Sequence, residues 1–338
     1  MTEEKSKKTF KSMVQKFFSG IGALIVTLVL LFAFFSIMAP ETFPQWNNIY
    51  NLIRTTSVNG VAALGMMVAI ICGGVDLSCG SVIGASVMLS AYFMSTQITR
   101  EETGLMGIWG AMLMGLLFSV IVGFINGLLI NDGKLPPFIA TVAMQYVLNG
   151  LKMVITGGAY VYPLPKTLIS FMKWGIPMGR AKMSVIFIIF MIVLIIAHLI
   201  LTYTTYGRSV YSTGSNRIMT QLSGVKTDKL RFTNYMALHA IVAMVGVLNA
   251  GYGKQGAPGI GQDWHMTIMA ACAIGGIKFS GGSGNMIGLL IGTFTLFSMN
   301  SAIAYIGINT FLQKVVTGVI LMVIVVSESI RASRKIRA

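Results

Sequence analysis

From Met183 the chain reads MSVIFIIFMIVLIIAHLILTY, and from Ile21 it reads IGALIVTLVLLFAFFSIMA. An α-helix needs a run of about 20 residues to cross the hydrocarbon of a bilayer. Both runs have that length and are apolar all round, whereas strands of a membrane barrel change polarity at every second residue. In lipid, backbone N–H and C=O groups must be paired within the segment, so these runs dictate helices. Composition agrees: 55% hydrophobic and 10% charged residues, with a mean hydropathy of +0.77, leave too few polar side chains to cover a water-facing surface. The expected fold class is an all-α integral membrane protein.

The periodicity and the polar breaks predict helices at about 21–39, 55–72, 79–97, 107–130, 137–156, 183–203, 231–250, 265–277, 285–306 and 310–328. That is about ten transmembrane helices, including broken or half-helices, because the 265–277 segment is too short to span alone. The first run is long for a signal peptide and has no small-x-small site before Pro40, so it reads as a retained helix. Cys72, Cys79 and Cys272 are scattered in apolar or glycine-rich settings and read as packing residues.

Basic residues orient the bundle. With the N-terminus inside, the cytoplasmic side collects Lys5, Lys7, Lys8, Lys11, Lys16, Lys134, Arg208, Arg217, Lys226, Lys229, Arg231, Lys278, Arg331, Arg334, Lys335 and Arg337, sixteen of the 25 Lys and Arg. An even number of crossings returns the C-terminus to the cytoplasm, so both termini are expected there. The net charge of +15 is thereby explained by the positive-inside bias and anionic membrane lipid, and no nucleic-acid partner is expected.

Tyr206 to Phe232 is the longest polar stretch on that side. Its middle predicts a short helix, Asn216 to Ser223, capped by Ser215 or Asn216 and stopped by Gly224. Ile218, Met219 and Leu222 share one face of it, suited to a partner's groove or to an anionic lipid surface.

Four stretches in order, GMMVAIICGGVDLSCGSVIG, KLPPFIATVAMQYVLNGL, TTYGRSVYSTGSNRIMTQLSGVKTDKLRF and AACAIGGIKFSGGSGNMIGLLIG, make the chain resemble the ribose, galactose and xylose branch of bacterial ABC-importer permeases. The resemblance runs from about Asn47 to the C-terminus. It implies a half-pore in the bacterial cytoplasmic membrane that pairs with a second permease copy or a close homologue. It also implies two cytoplasmic ABC ATPase subunits and an extracytoplasmic sugar-binding protein that delivers a monosaccharide. No cofactor is expected on this chain itself; ATP and Mg would belong to the ATPase partners. One permease domain, 21–328, would then hold the ATPase-coupling loop at 204–230, between basic tails at 1–20 and 329–338.

Carried over residue by residue, the coupling helix falls on Gly214, Asn216, Ile218, Met219, Thr220, Leu222, Ser223 and Gly224. The family usually has two alanines where Met219 and Thr220 stand, which implies a bulkier face here. No G-x-x-x-x-G-K-[ST] occurs, and GGIKFSGGSGN lacks the Lys-Ser ending that would hold phosphates.

Two breaks are candidate translocation or gating elements. Asp76 follows Gly73 and Gly74 and precedes Ser78. It is well placed to cap the next helix by accepting orphan N–H groups, with a direct sugar contact as the other reading. In Gly253 to Gly276, Gly and Pro interrupt the helix and Asp263 offers a cap to a segment starting near His265. The family commonly has acidic residues where His265 and Thr267 stand, which puts residue roles in that turn in doubt.

Asn126, Gln145, Tyr146 and Asn149 form a candidate sugar-lining set, since neutral donors, acceptors and aromatic faces suit hydroxyls. His198 and His239 read as packed or interfacial side chains, and Gly284, Gly288 and Gly292 as a close-packing stripe. The alternative function from the residues is an ion-coupled secondary transporter of a small polar solute, disfavoured because Asp76 and Asp263 alone lie near plausible pore elements. A membrane-embedded enzyme lacks a nucleophile with a nearby base.

Overall fold

A computed structural model describes residues 21–97, 105–178, 181–306 and 309–337. The expected basic tail over 1–20 lies outside the described residues. The helices are α1 (Ile21–Met38), α2 (Trp46–Ile71), α3 (Cys79–Gln97), α4 (Leu105–Asn131), α5 (Pro137–Thr156), α6 (Lys166–Lys173), α7 (Val185–Tyr203), α8 (Thr205–Ser215), α9 (Arg217–Leu222), α10 (Thr227–Gly253), α11 (Trp264–Ile274), α12 (Met286–Tyr305) and α13 (Thr310–Arg337). Strands β1 (Gly175–Met178) and β2 (Ala181–Ser184) form an antiparallel hairpin between α6 and α7. Apart from this short hairpin the elements are helices, consistent with the all-α expectation.

Among the described residues six helices are long and apolar enough to cross a membrane, and shorter apolar helices at 22–38, 79–95, 264–274 and 311–323 stand where spans are expected. The largest boundary differences are nine residues: α2 starts before the expected 55, and α13 runs past the expected 328. The first turns of α2 carry Asn48, Asn51 and Arg54, and those polar groups hid them from an apolar count. Asn48 Nδ2 donates to the Phe43 carbonyl at 2.7 Å, and Arg54 bonds the Tyr252 hydroxyl while its guanidinium lies 4.1 Å from that ring's centroid.

At the two extremes apolarity and burial run in opposite directions. α7, the most apolar candidate span, has 22% of its span inside the protein; α2, the least apolar, has 83%. Lipid tails reward apolar side chains as well as a protein core does, so the interior is marked by small and polar residues instead. α3 shows how: a Cβ on Gly115 of α4 would lie 2.2 Å from Ser90 Oγ, and one on Gly246 of α10 would lie 2.7 Å from Ser86 Cβ. Those contacts let α4 and α10 close on α3, with α2 completing the centre and α5 outside it. The glycine stripe on α12 does the same work, since a Cβ on Gly288 or Gly292 would lie 2.3 Å from the Gly275 oxygen or 2.4 Å from its nitrogen.

Candidate functional site

The break between α2 and α3 carries a fully buried polar cluster. Gly73 leaves α2 through a left-handed turn at φ +84°, and Gly74 sits where a Cβ would lie 2.8 Å from the Tyr235 hydroxyl. The chain then reaches Asp76 without a helical residue. Asp76 Oδ1 accepts the Ser78 N–H at 2.7 Å and its Oγ–H at 2.5 Å, while the Ser78 carbonyl accepts the Val82 N–H at 2.8 Å. The carboxylate is thus an Asx-type acceptor two residues ahead of the helix, a variant of the expected cap. Thr141 of α5 finishes the turn by accepting the Leu77 N–H at 3.2 Å.

Two further helices hold the other side. Asn126 of α4 donates to Ser78 Oγ at 3.0 Å. His239 of α10 places Nε2 3.4 Å from Asp76 Oδ2, 3.4 Å from Asn126 Nδ2 and 3.5 Å from Ser78 Oγ. Its Nδ1 lies 2.7 Å from the Tyr235 carbonyl oxygen, which can only accept, so Nδ1 carries a hydrogen. Asp76, Ser78, Asn126, Thr141 and His239 are all buried. Sequence reasoning missed His239: it is packed, as expected, but its neighbours are polar. The visible signal was a histidine in mid-helix and a carboxylate at a break, two groups costly in hydrocarbon unless they find polar neighbours.

The second break, 254–263, joins α10 to α11 and lies against α3 through backbone. A Cβ on Gly84 would lie 2.3 Å from the Ile260 oxygen, and one on Gly261, at φ +80°, 2.0 Å from the Gly80 oxygen. Val161 and Gly256 exchange N–H···O bonds at 2.9 and 3.0 Å. Lys152 of α5 donates to the Ile260 carbonyl at 3.3 Å and is 3% exposed, with no carboxylate partner among the described residues. Asp263 stands at the N-cap position of α11, yet its backbone is left-handed at φ 60° and its side chain caps nothing. It meets Lys314 at 3.1 Å in an exposed pair instead, which corrects the capping expectation. His265 is buried with Nδ1 unpartnered.

The candidate lining set does not converge on one cavity. Asn126 belongs to the Asp76 cluster. Asn149 is half-buried and accepts from Ser81 Oγ at 3.1 Å, Gln145 is half-buried, and Tyr146 is 75% exposed on the outer face of α5. A groove of about 520 Å³ is lined instead by apolar side chains including Trp109, Met112, Phe171 and Met244.

α8 and α9 project at the Gly73 end of the bundle. Asn216 caps α9, its Oδ1 accepting the Met219 N–H at 3.0 Å, and Gly224 follows the helix at φ +87°. Ser223 folds its hydroxyl back onto the Met219 carbonyl at 2.9 Å. Ile218, Met219 and Leu222 are 71%, 60% and 77% exposed, while Thr220 is buried and donates to the Asn216 carbonyl at 2.8 Å. Of the two residues expected to add bulk to this face, only Met219 is on it. Arg217 pairs with Asp228 across the following turn.

A family model described as the permease component of the branched-chain amino acid transport system matches residues 48–325. This chain belongs to that family. The permease is 30% identical over 328 residues to the ribose import permease protein RbsC of Bacillus subtilis (strain 168), with 95% of each chain covered. It is 27% identical over 309 residues to RbsC of Escherichia coli (strain K12), covering 90% of this chain and 92% of that one. With the galactose/methyl galactoside import permease protein MglC of the same strain it shares 26% identity over 337 residues, 98% of each chain. No solved structure matched. The permease is a multi-pass membrane subunit of an ABC importer and not an enzyme. Asp76 and His239 stand against the start of α3, where Asp76 accepts from Ser78.

Proposed function

We propose that this chain is the membrane-spanning half-pore of an ATP-driven importer of a ribose- or galactose-like monosaccharide. It pairs with a second copy or close homologue in the bacterial cytoplasmic membrane, engages two ABC ATPase subunits that hold ATP and Mg, and receives sugar from an extracytoplasmic binding protein. Residues 21–328 form its single permease domain, both termini face the cytoplasm, and α9 is the coupling helix. The observation that carries the reading is the capped α9, whose Ile218, Met219 and Leu222 stand exposed at one end of an otherwise lipid-embedded bundle. Three large apolar side chains exposed on a short helix outside the candidate spans suit a partner's groove.

The ion-coupled alternative lacks a comparable observation, because Asp76 is fully buried and engaged by Ser78 and His239. The test is to purify tagged chain from its native membranes in mild detergent and to measure co-purifying ATP hydrolysis for the wild type and Leu222→Asp. An ATPase retained by the wild type and lost in the variant supports the proposal; a wild-type chain that comes out without an ATPase refutes it.

A further inference from the structure

The glycine-rich turn between α11 and α12, KFSGGSGN, has no phosphate-binding ending and no role in the function proposed so far. In the fold it lies at the base of α9. Three segments far apart in sequence meet there with almost no side chain between them. The Gly282 N–H donates to the Ile71 carbonyl at the end of α2, at 2.8 Å. Gly214 of α8 covers the same oxygen so closely that a Cβ on it would lie 1.8 Å away, and 2.5 Å from the Gly282 nitrogen. A Cβ on Gly282 would lie 2.1 Å from Ser215 Oγ, and one on Gly281 would lie 2.9 Å from the Gly214 oxygen and 3.1 Å from the Gly73 Cα. The Tyr211 hydroxyl donates to the Gly284 carbonyl at 3.0 Å, and burial pushes that phenol up, so it stays a neutral donor.

Side chains between two elements can change rotamer and absorb a displacement; backbone packed on backbone cannot. Ile71 is five residues before Asp76, whose cluster is gripped by α4, α5 and α10. We propose that the Lys278–Gly284 turn is a backbone socket for the base of the coupling helix. Through it α8–α9, the end of α2 and the α11–α12 turn move as one rigid body that delivers the displacement of α9 to the Asp76 cluster. The inference rests on α9 being the coupling helix.

The test uses the full chain with its native ATPase and binding protein, uptake of D-ribose and D-galactose being the probes. Gly282→Ala drives a methyl against Ser215 and lowers uptake at least tenfold with the ATPase still bound, whereas Gly276→Ala leaves uptake within about twofold. Gly276 has a similar φ, +76° against +69°, and open space beyond it, so it controls for backbone strain. Equal effects of the two alanines would overturn the proposal. Loss of the ATPase in Leu222→Asp together with equal effects of the two alanines means that the coupling reading stands and the socket alone fails.

Discussion

His239 Nε2 lies 3.4 Å from Asp76 Oδ2, and both side chains are fully enclosed. A carboxylate and an imidazole, 163 residues apart in sequence, are thereby placed between the α2–α3 break and the middle of α10. A buried polar group that loses its hydrogen-bond partner costs about 1–3 kcal/mol. Asp76→Ala also orphans the Ser78 N–H and hydroxyl. Its detergent-solubilised melting temperature is expected to fall well below that of Asp76→Asn, which keeps an acceptor for Ser78. If Asp76→Asn transports at the wild-type rate, the negative charge itself has no role.

The exposed face of α9 separates affinity from stability. Ile218→Ala, Met219→Ala and Leu222→Ala remove surface atoms, so each should change melting little, by about 0.5 kcal/mol or less. Each should weaken retention of the ATPase about tenfold, equivalent to ~1.4 kcal/mol. Asn216→Ala should behave differently, because losing the cap costs about 1 kcal/mol of helix stability. Titrating ATPase against permease in nanodiscs would measure these; equal affinity for Leu222→Ala and the wild type would contradict the assignment of that face.

Lys152 supplies a donor to one carbonyl at the cost of a buried ammonium. An apolar side chain of similar shape removes the desolvation cost of a buried charge that has no charged partner. Lys152→Met is therefore expected to melt no lower than the wild type, and a clear drop would show that the bond to Ile260 outweighs the desolvation.

Gly84 tests the seating of the 254–263 segment. Gly84→Ala places its Cβ against the Ile260 oxygen, with backbone on the other side, and is expected to destabilise by about 1–3 kcal/mol. Gly150→Ala, where nothing stands within 4 Å, should be neutral or stabilising by up to about 1 kcal/mol through helix propensity. Thermal melting of the two variants side by side would show the difference.

The spans were legible because their signal is local: apolar length fixes α3, α5 and α7 to within about two residues of expectation. So was the cap of α9, which depends on Asn216 and Gly224 alone. What escaped was set by contacts across the bundle. His239 gives no sign in sequence that its neighbour is Asp76. The turn at Asp263 hides that a left-handed residue directs its side chain to Lys314. Gly281 and Gly282 read as a loop until Gly214 and Ile71 are placed against them. Tyr146 looked like a lining residue beside Gln145, but a helix turns 100° per residue, and that step carries it to the outer face of α5.

The most direct measurement is sugar accumulation in proteoliposomes that contain this chain, with its ATPase and binding protein added or left out. The account predicts uptake of D-ribose or D-galactose against a gradient only when the ATPase, the binding protein and ATP are all present. Accumulation by the chain alone, driven by a proton or sodium gradient, would contradict it.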